Sequence, residues 1–262
     1  MRRVYPLVGA LCLAGCSEGL PDVNIFSIED DMQLGADLAD EIASHPKQYG
    51  EILDPVEYAQ AYDYLNGIRD ELLDTGEVSY ANRFDWETHI LHDDEVLNAF
   101  AAPGGYIYVY TGLIKFLDQE DHFAGVLGHE IAHAANRHST EQLTQAYGIE
   151  TLISIVLGDG TAGQVAEIAS GLATLSFSRE DEAEADEYSV YYLCETLYAA
   201  DGTAGFFEKL QADGGIDIPE FLSTHPSDEN RIADIEALAA ELGCSLEPNP
   251  DARWQAFVNT LP

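Results

Sequence analysis

The chain has 262 residues, 46% hydrophobic and 23% charged, enough apolar material to bury a core and not the composition of a disordered tail. Against 11 Lys and Arg stand 48 Asp and Glu, a formal charge of −37. That excess argues against nucleic-acid binding, which needs a basic patch to displace phosphate counterions, and against electrostatic docking on anionic lipid; it describes a solvated surface suited to a salty medium.

The amino terminus reads as an address. Met1-Arg2-Arg3 is basic, Val4 to Ala14 is mostly apolar, and the run ends in Leu13-Ala14-Gly15-Cys16. This is the pattern of a secretory signal peptide, and the run is too short for a spanning helix. The ending resembles the lipobox of bacterial lipoproteins, which implies cleavage after residue 15 and a lipid on Cys16. Ser17 follows it, with no Asp there, and the resemblance then implies the periplasmic face of the outer membrane. Residues 16–24 form a tether and residues 25–262 a single domain. With Cys12 removed and Cys16 lipidated, Cys194 and Cys244 remain. They are a candidate disulfide in an oxidising compartment; two buried thiols are the alternative.

Apolar residues at Ile28, Met32, Leu34, Leu38 and Ile42 predict a helix between Ile25 and Ser44. A second is expected from Pro55 through Leu72, ended by Gly76. Trp86 to Leu91 reads as a strand. Tyr106 to Tyr110 reads as another, with one aromatic face, closed by Thr111-Gly112. Helices are expected over 119–142, 178–199 and 227–242. The apolar run Thr151 to Leu157 reads as a short buried helix, with a membrane- or substrate-facing helix as the sharper alternative.

The chemistry lies at His129-Glu130-Ile131-Ala132-His133. Two His four apart share one helix face, so both imidazoles reach one metal ion, and the adjoining Glu is placed as a general base. The apolar flanks Phe123, Val126, Leu127, Ile131 and Ala134 make this a buried helix, where two His and a Glu need partners. A third ligand is expected on another element. The run Glu180 to Asp186 supplies candidates, with Glu182 and Asp186 four apart, but periodicity does not choose among Glu180, Glu182 and Glu184. His138, five residues past His133, is expected to turn off the metal face, onto the helix surface or behind the ligands.

Three blocks occur in order: Gly128 to His133; Ser178-Arg179-x-x-Glu182-x-x-Ala185-Asp186; and Thr224-His225-Pro226 with Arg231. Asn98 to Ala101 and Pro103-Gly104-Gly105 stand upstream. Together they resemble the HtpX-like zinc metallopeptidases, which include the mitochondrial Oma-type enzymes. The resemblance implies one Zn²⁺ on His129, His133 and Glu182, with Glu130 as base and Asp186 behind a ligand. It places His225 and Arg231 near the metal, as oxyanion stabilisers or a gate. It implies an α+β, mostly helical, zincin-like fold with a small antiparallel sheet beside the active-site helix. The function it implies is a zinc endopeptidase for misfolded or unassembled envelope proteins. A lipid-anchored zinc-containing assembly factor with little turnover is the alternative, and an enzyme held latent by His225 a third. An extended substrate is expected on a strand edge, at Tyr106 to Tyr110 or at Asn98 to Ala101.

Overall fold

Ser27 opens the first helix, Ile28–Ser44 (α1), through a capping box: its hydroxyl accepts from the Asp30 N–H and the Asp30 carboxylate accepts from the Ser27 N–H. This computed structural model describes residues 24, 26–213, 219–226, 230–248 and 252–262. The signal segment, Cys16 and residues 17–23 of the tether lie outside the described residues. After α1 come Pro46–Tyr49 (α2), Glu51–Ile52 (β1), Ala59–Leu73 (α3), Glu87–His92 (β2), Ala99–Ala102 (β3) and Tyr106–Tyr110 (β4). Thr111–Phe116 (α4), Glu120–Ala135 (α5), His138–Tyr147 (α6), Ile149–Val156 (α7), Ala162–Leu172 (α8) and Arg179–Cys194 (α9) follow. Gly202–Ala212 (α10), Pro219–Thr224 (α11), Arg231–Leu242 (α12) and Ala252–Val258 (α13) complete the order.

The sheet has four strands in the order β1-β2-β4-β3 and is mixed, where an antiparallel sheet was expected. The chain leaves β2, reverses into β3, turns tightly through Pro103–Gly105 and inserts β4 between β2 and β3. Two reversals make β4 parallel to β2, with Thr88 opposite Ile107 and Ile90 opposite Val109. Tyr106 to Tyr110 is therefore an interior strand and offers no edge; the outer strand on that side is β3.

Alternation sorts the side chains of each strand to two faces. Ile90, Ala99, Ala101, Ile107 and Val109 join the core under α3, α5, α9, α10 and α12. Leu91, Phe100, Tyr106, Tyr108 and Tyr110 join the opposite core with α1, α7 and α8. α5 is almost wholly buried and crosses α10 closely at two glycines. A Cβ on Gly125 would lie 2.2 Å from the Thr203 nitrogen, and one on Gly202 2.2 Å from the Asp121 carbonyl oxygen.

Several expected boundaries move, the helix expected over 178–199 ending at Cys194 among them. The helix expected from Pro55 starts at Ala59, after a turn over 55–58. Thr111 and Gly112 open α4 instead of closing the strand. The helix expected over 119–142 is two helices, because Arg137 adopts left-handed backbone (φ 66°, ψ 22°) between them. The run from Thr151 forms α7, with Leu152 and Ile155 inward and Ile153 and Leu157 outward. Cys194 and Cys244 are joined as a disulfide, Cα–Cα 5.1 Å, between the end of α9 and the residue after the α12 C-cap. Among the described residues no helix is long and apolar enough to cross a membrane.

Candidate metal centre

Two helices cross at the site, each contributing a pair of side chains four apart. α5 presents His129 and His133, and α9 presents Glu182 and Asp186. α9 starts where it does because Ser178 and Asp181 form a capping box, and Glu180, Asp181 and Glu182 complement the helix dipole in the first turn. Along this helix Glu182 and Asp186 are buried toward α5 while Glu180 and Glu184 face outward.

His133 Nε2 lies 3.0 Å from His129 Nε2 and 3.3 Å from Glu182 Oε1. His225 adds Nδ1, 2.9 Å from Glu182 Oε1. One atom from each of His129, His133, Glu182 and His225 falls within a 4.8 Å group, and all four residues are buried. The structure thus brings His225 into the donor set itself, a fourth donor beyond the three expected. Glu130 lies beside it, with Oε1 3.4 Å from His225 Nε2.

Behind these donors sits an ionic frame. Asp186 Oδ1 is 2.9 Å from His129 Nδ1, and Asp186 accepts two bonds from Arg231, at 2.5 and 2.8 Å. Arg231 Nη1 is 2.9 Å from Glu182 Oε2, and its guanidinium lies 4.2 Å over the Phe207 ring. Arg231 is therefore engaged by the two α9 carboxylates. A cavity of about 350 Å³ opens on its outer side, walled by Arg179, Ala183, Pro226, Ile235 and Leu238.

The electrostatics follow from burial and these partners. Burial disfavours charge on His129, but Asp186 and Glu182 outweigh it and hold the imidazole up to about 9. His133 is driven well below the usual histidine range by burial, which the Glu182 carboxylate only partly offsets. Burial pushes the Glu130 carboxyl up, only partly offset by His225 and His129. Burial acts the same way on Glu182 and Asp186, but their partners win: His225 and the hydrogen bonds of His129 and His133 hold Glu182 well down, and Arg231 lowers Asp186.

Buried atoms without hydrogen-bond partners lie here: both Glu130 oxygens and His225 Nε2. Buried polar atoms are rarely left so, and several at one point fit a cation that the donors would share. The cluster is able to bind a metal.

Two residues near it escaped the sequence reading. Phe177 stacks on His133 at 3.9 Å and lies 5.5 Å from His225. Its N–H donates to the Thr224 carbonyl, so the segment before α9 covers the site together with α11. Phe221 stacks on His225 at 4.5 Å. No sequence signal marks either; both are apolar residues whose partners are distant in the chain. His138, expected off the metal face, is buried against His133.

The family model described as "Peptidase family M48" matches residues 60–239. Mitochondrial metalloendopeptidase OMA1 of Schizosaccharomyces pombe is 28% identical over 217 residues, covering 81% of this chain and 62% of the relative. The Beta-barrel assembly-enhancing protease of Escherichia coli K12 is 28% identical over 273 residues, covering 96% of this chain and 53% of the relative. The chain thus spans little more than half the length of these relatives. The match over residues 60–239 takes in α5, α9 and most of α12 with every donor of the cluster, and the chain belongs to peptidase family M48.

Proposed function

We propose that the chain is a zinc-dependent endopeptidase acting on misfolded or unassembled proteins of the cell envelope. The observation that carries this reading is the Glu130 carboxylate, fully buried, unpartnered and raised by burial, beside convergent imidazole and carboxylate donors. Three imidazoles and one carboxylate are a donor set that suits zinc. The chemistry a bound zinc supplies is Lewis-acid activation of water and of the scissile carbonyl. His129, His133 and Glu182 would hold it, and Asp186 and Arg231 fix His129 and Glu182 from behind. Glu130 takes the proton of the attacking water and returns it to the leaving amine, for which a raised carboxyl is suited. A holding factor without turnover has no use for such a carboxylate.

The substrate class follows from likeness. One relative is named for β-barrel assembly and the other as a mitochondrial metalloendopeptidase, and the amino terminus reads as a secretory signal ending at Cys16. The chain would then sit on the periplasmic face of the outer membrane, held by a lipid on Cys16. An extended substrate would add to β3, the outer strand nearest α5.

A second reading is favoured by His225. A catalytic zinc keeps one position open, whereas His225 completes a set of four. Phe177 covers the same donors, and the Asn98 side chain at the head of β3 donates to the Ala173 carbonyl in the same covering segment. This arrangement is an enzyme at rest, opened when His225 and the segment before α9 withdraw.

The test compares wild-type protein with Glu130→Gln, measuring zinc per chain and cleavage of casein. One zinc in both, with cleavage only in wild type, is expected. Zinc in both and cleavage in neither moves the reading to the resting state, and His225→Ala should then release activity. No zinc in either after metal-replete purification removes the metal-centre reading.

A further inference from the structure

A histidine that binds a metal through one nitrogen has its proton on the other, and whatever accepts that proton sets the ring's orientation and tautomer. His129 and His133 both turn Nε2 into the cluster. The outward Nδ1 of His129 meets a carboxylate, Asp186. The outward Nδ1 of His133 meets another imidazole: His138 Nδ1 is 3.0 Å away. His138 is buried, and its own Nε2 lies 3.2 Å from Glu184 Oε2, on a side chain half exposed to solvent.

The proton positions are constrained in sequence. Nε2 of His133 must be bare to bind metal, so its Nδ1 carries the proton and donates to His138 Nδ1. A neutral His138 then carries its proton on Nε2, which faces the Glu184 carboxylate. Every nitrogen in the chain from metal ligand to surface has the partner its tautomer requires.

The backbone is shaped to permit this. On a continuous helix, a residue five past His133 points elsewhere. The left-handed Arg137 ends α5 and folds the chain back, so that His138 returns to His133. Arg137 is fixed in turn by α1: it donates to Asp31 at 2.5 Å and to the Phe26 carbonyl, and Asp31 also accepts from Thr140 at 2.9 Å. The centre already packs Glu130, Glu182 and Asp186 together; an imidazole partner orients His133 without a fourth buried carboxylate.

We propose that His138 is a positioning residue for the metal ligand His133, accepting its Nδ1–H and being held itself by Glu184. Nothing in the H-E-x-x-H pattern assigns it this role. The proposal rests on the metal-centre reading above.

The test is a zinc affinity measured by chelator competition at neutral pH, on the full chain. His138→Leu removes the acceptor and keeps bulk, and should weaken zinc binding about 10- to 100-fold. His138→Asn keeps an acceptor near the Nδ1 position and should recover most of that loss. Glu184→Leu, a half-exposed site whose loss threatens no fold, should weaken binding several-fold. Unfolding midpoints of the metal-free His138→Leu and His138→Asn proteins should agree. Wild-type affinity in His138→Leu, or equal weakening in the Leu and Asn variants, would overturn the proposal and leave the metal centre intact. No zinc on the wild type would remove both readings.

Discussion

Both faces of the sheet are packed with apolar side chains, but only one of them also buries the cluster of metal donors. On one, α1, α7 and α8 pack Leu34, Leu38, Ile42, Leu152, Ile155 and Ile168 against the tyrosines of β4, and the core is apolar and aromatic. On the other, α5, α9 and α12 bring His129, Glu130, His133, Glu182, Asp186 and Arg231 into the interior. Apolar burial contributes roughly 25 cal/mol per Å² and asks only for shape. Buried charge gains little net stability over well-packed apolar groups, but becomes very costly when one partner is lost. Both faces bury an apolar core, and the second also holds donors in place for a metal.

The sharpest way to break this comparison is to remove one cation from the second face. Arg231→Met keeps length and apolar contact with Phe207 but takes from Asp186 and Glu182 the guanidinium they share. The expected loss is about 3–5 kcal/mol in the metal-free protein, read by denaturant unfolding. Leu152→Ala on the opposite face should cost about 2–5 kcal/mol. The two variants should differ in metal: Arg231→Met weakens zinc, Leu152→Ala does not. Equal effects on zinc affinity would show that the faces are not separable.

The same division explains what could be read from the sequence. α1 was legible in its apolar spacing, and β4 in its run of aromatic and β-branched residues. His129, Glu130 and His133 were legible because a helix fixes the geometry of i and i+4. The acidic run on α9 was not. Glu180, Glu182 and Glu184 are chemically alike, and only packing against α5 buries Glu182 and exposes the other two. The resemblance to a known family, and not periodicity, singled out Glu182. The break at Arg137 carries no Gly or Pro signal, because the turn is held by Asp31, 106 residues away in the chain. The parallel pairing of β2 with β4 is equally non-local. Phe177 gave no sign of its place over His133.

A pH series sharpens the comparison at lower cost. His129 is held up to about 9 from an ordinary 6.5, so the metal-free fold binds its proton more tightly than the unfolded chain does. That stabilisation is fully present below pH 6.5 and is lost as pH rises through 9. Each pKa unit is worth about 1.4 kcal/mol, so the loss is roughly 3 kcal/mol at most. Glu182 and Asp186, both lowered, act in the opposite sense: their contribution is present above their ordinary values and is lost as pH falls. The metal-free protein should therefore lose stability on both sides of a plateau. Zinc should remove the His129 part of the alkaline limb, since ligation replaces the proton on His129, and zinc affinity should rise with pH up to about 9. An alkaline limb that persists unchanged with zinc bound would place that titration away from the centre.

The smallest effect concerns the strand between the two faces. Tyr110 donates to the Asn98 carbonyl, so by antiparallel alternation Asn98, Phe100 and Ala102 pair with β4 while Ala99 and Ala101 turn their backbone groups outward. One outward group is already engaged: the Ser139 hydroxyl donates to the Ala101 carbonyl at 2.6 Å. The outward N–H groups of Ala99 and Ala101 are then the donors that strand addition at β3 would use, with Ala99 nearer the head of the strand. Ala99→Pro removes the Ala99 donor on the side where an outer strand tolerates proline. It should leave zinc binding unchanged and lower kcat/KM by roughly fivefold, the worth of one hydrogen bond of about 1 kcal/mol. Phe100→Pro, one residue on, removes a bond to β4 and should cost stability by about 3 kcal/mol or more. Strand addition at β3 requires the two prolines to separate in this way. If Ala99→Pro cleaves like wild type, the substrate reaches the metal without using this edge.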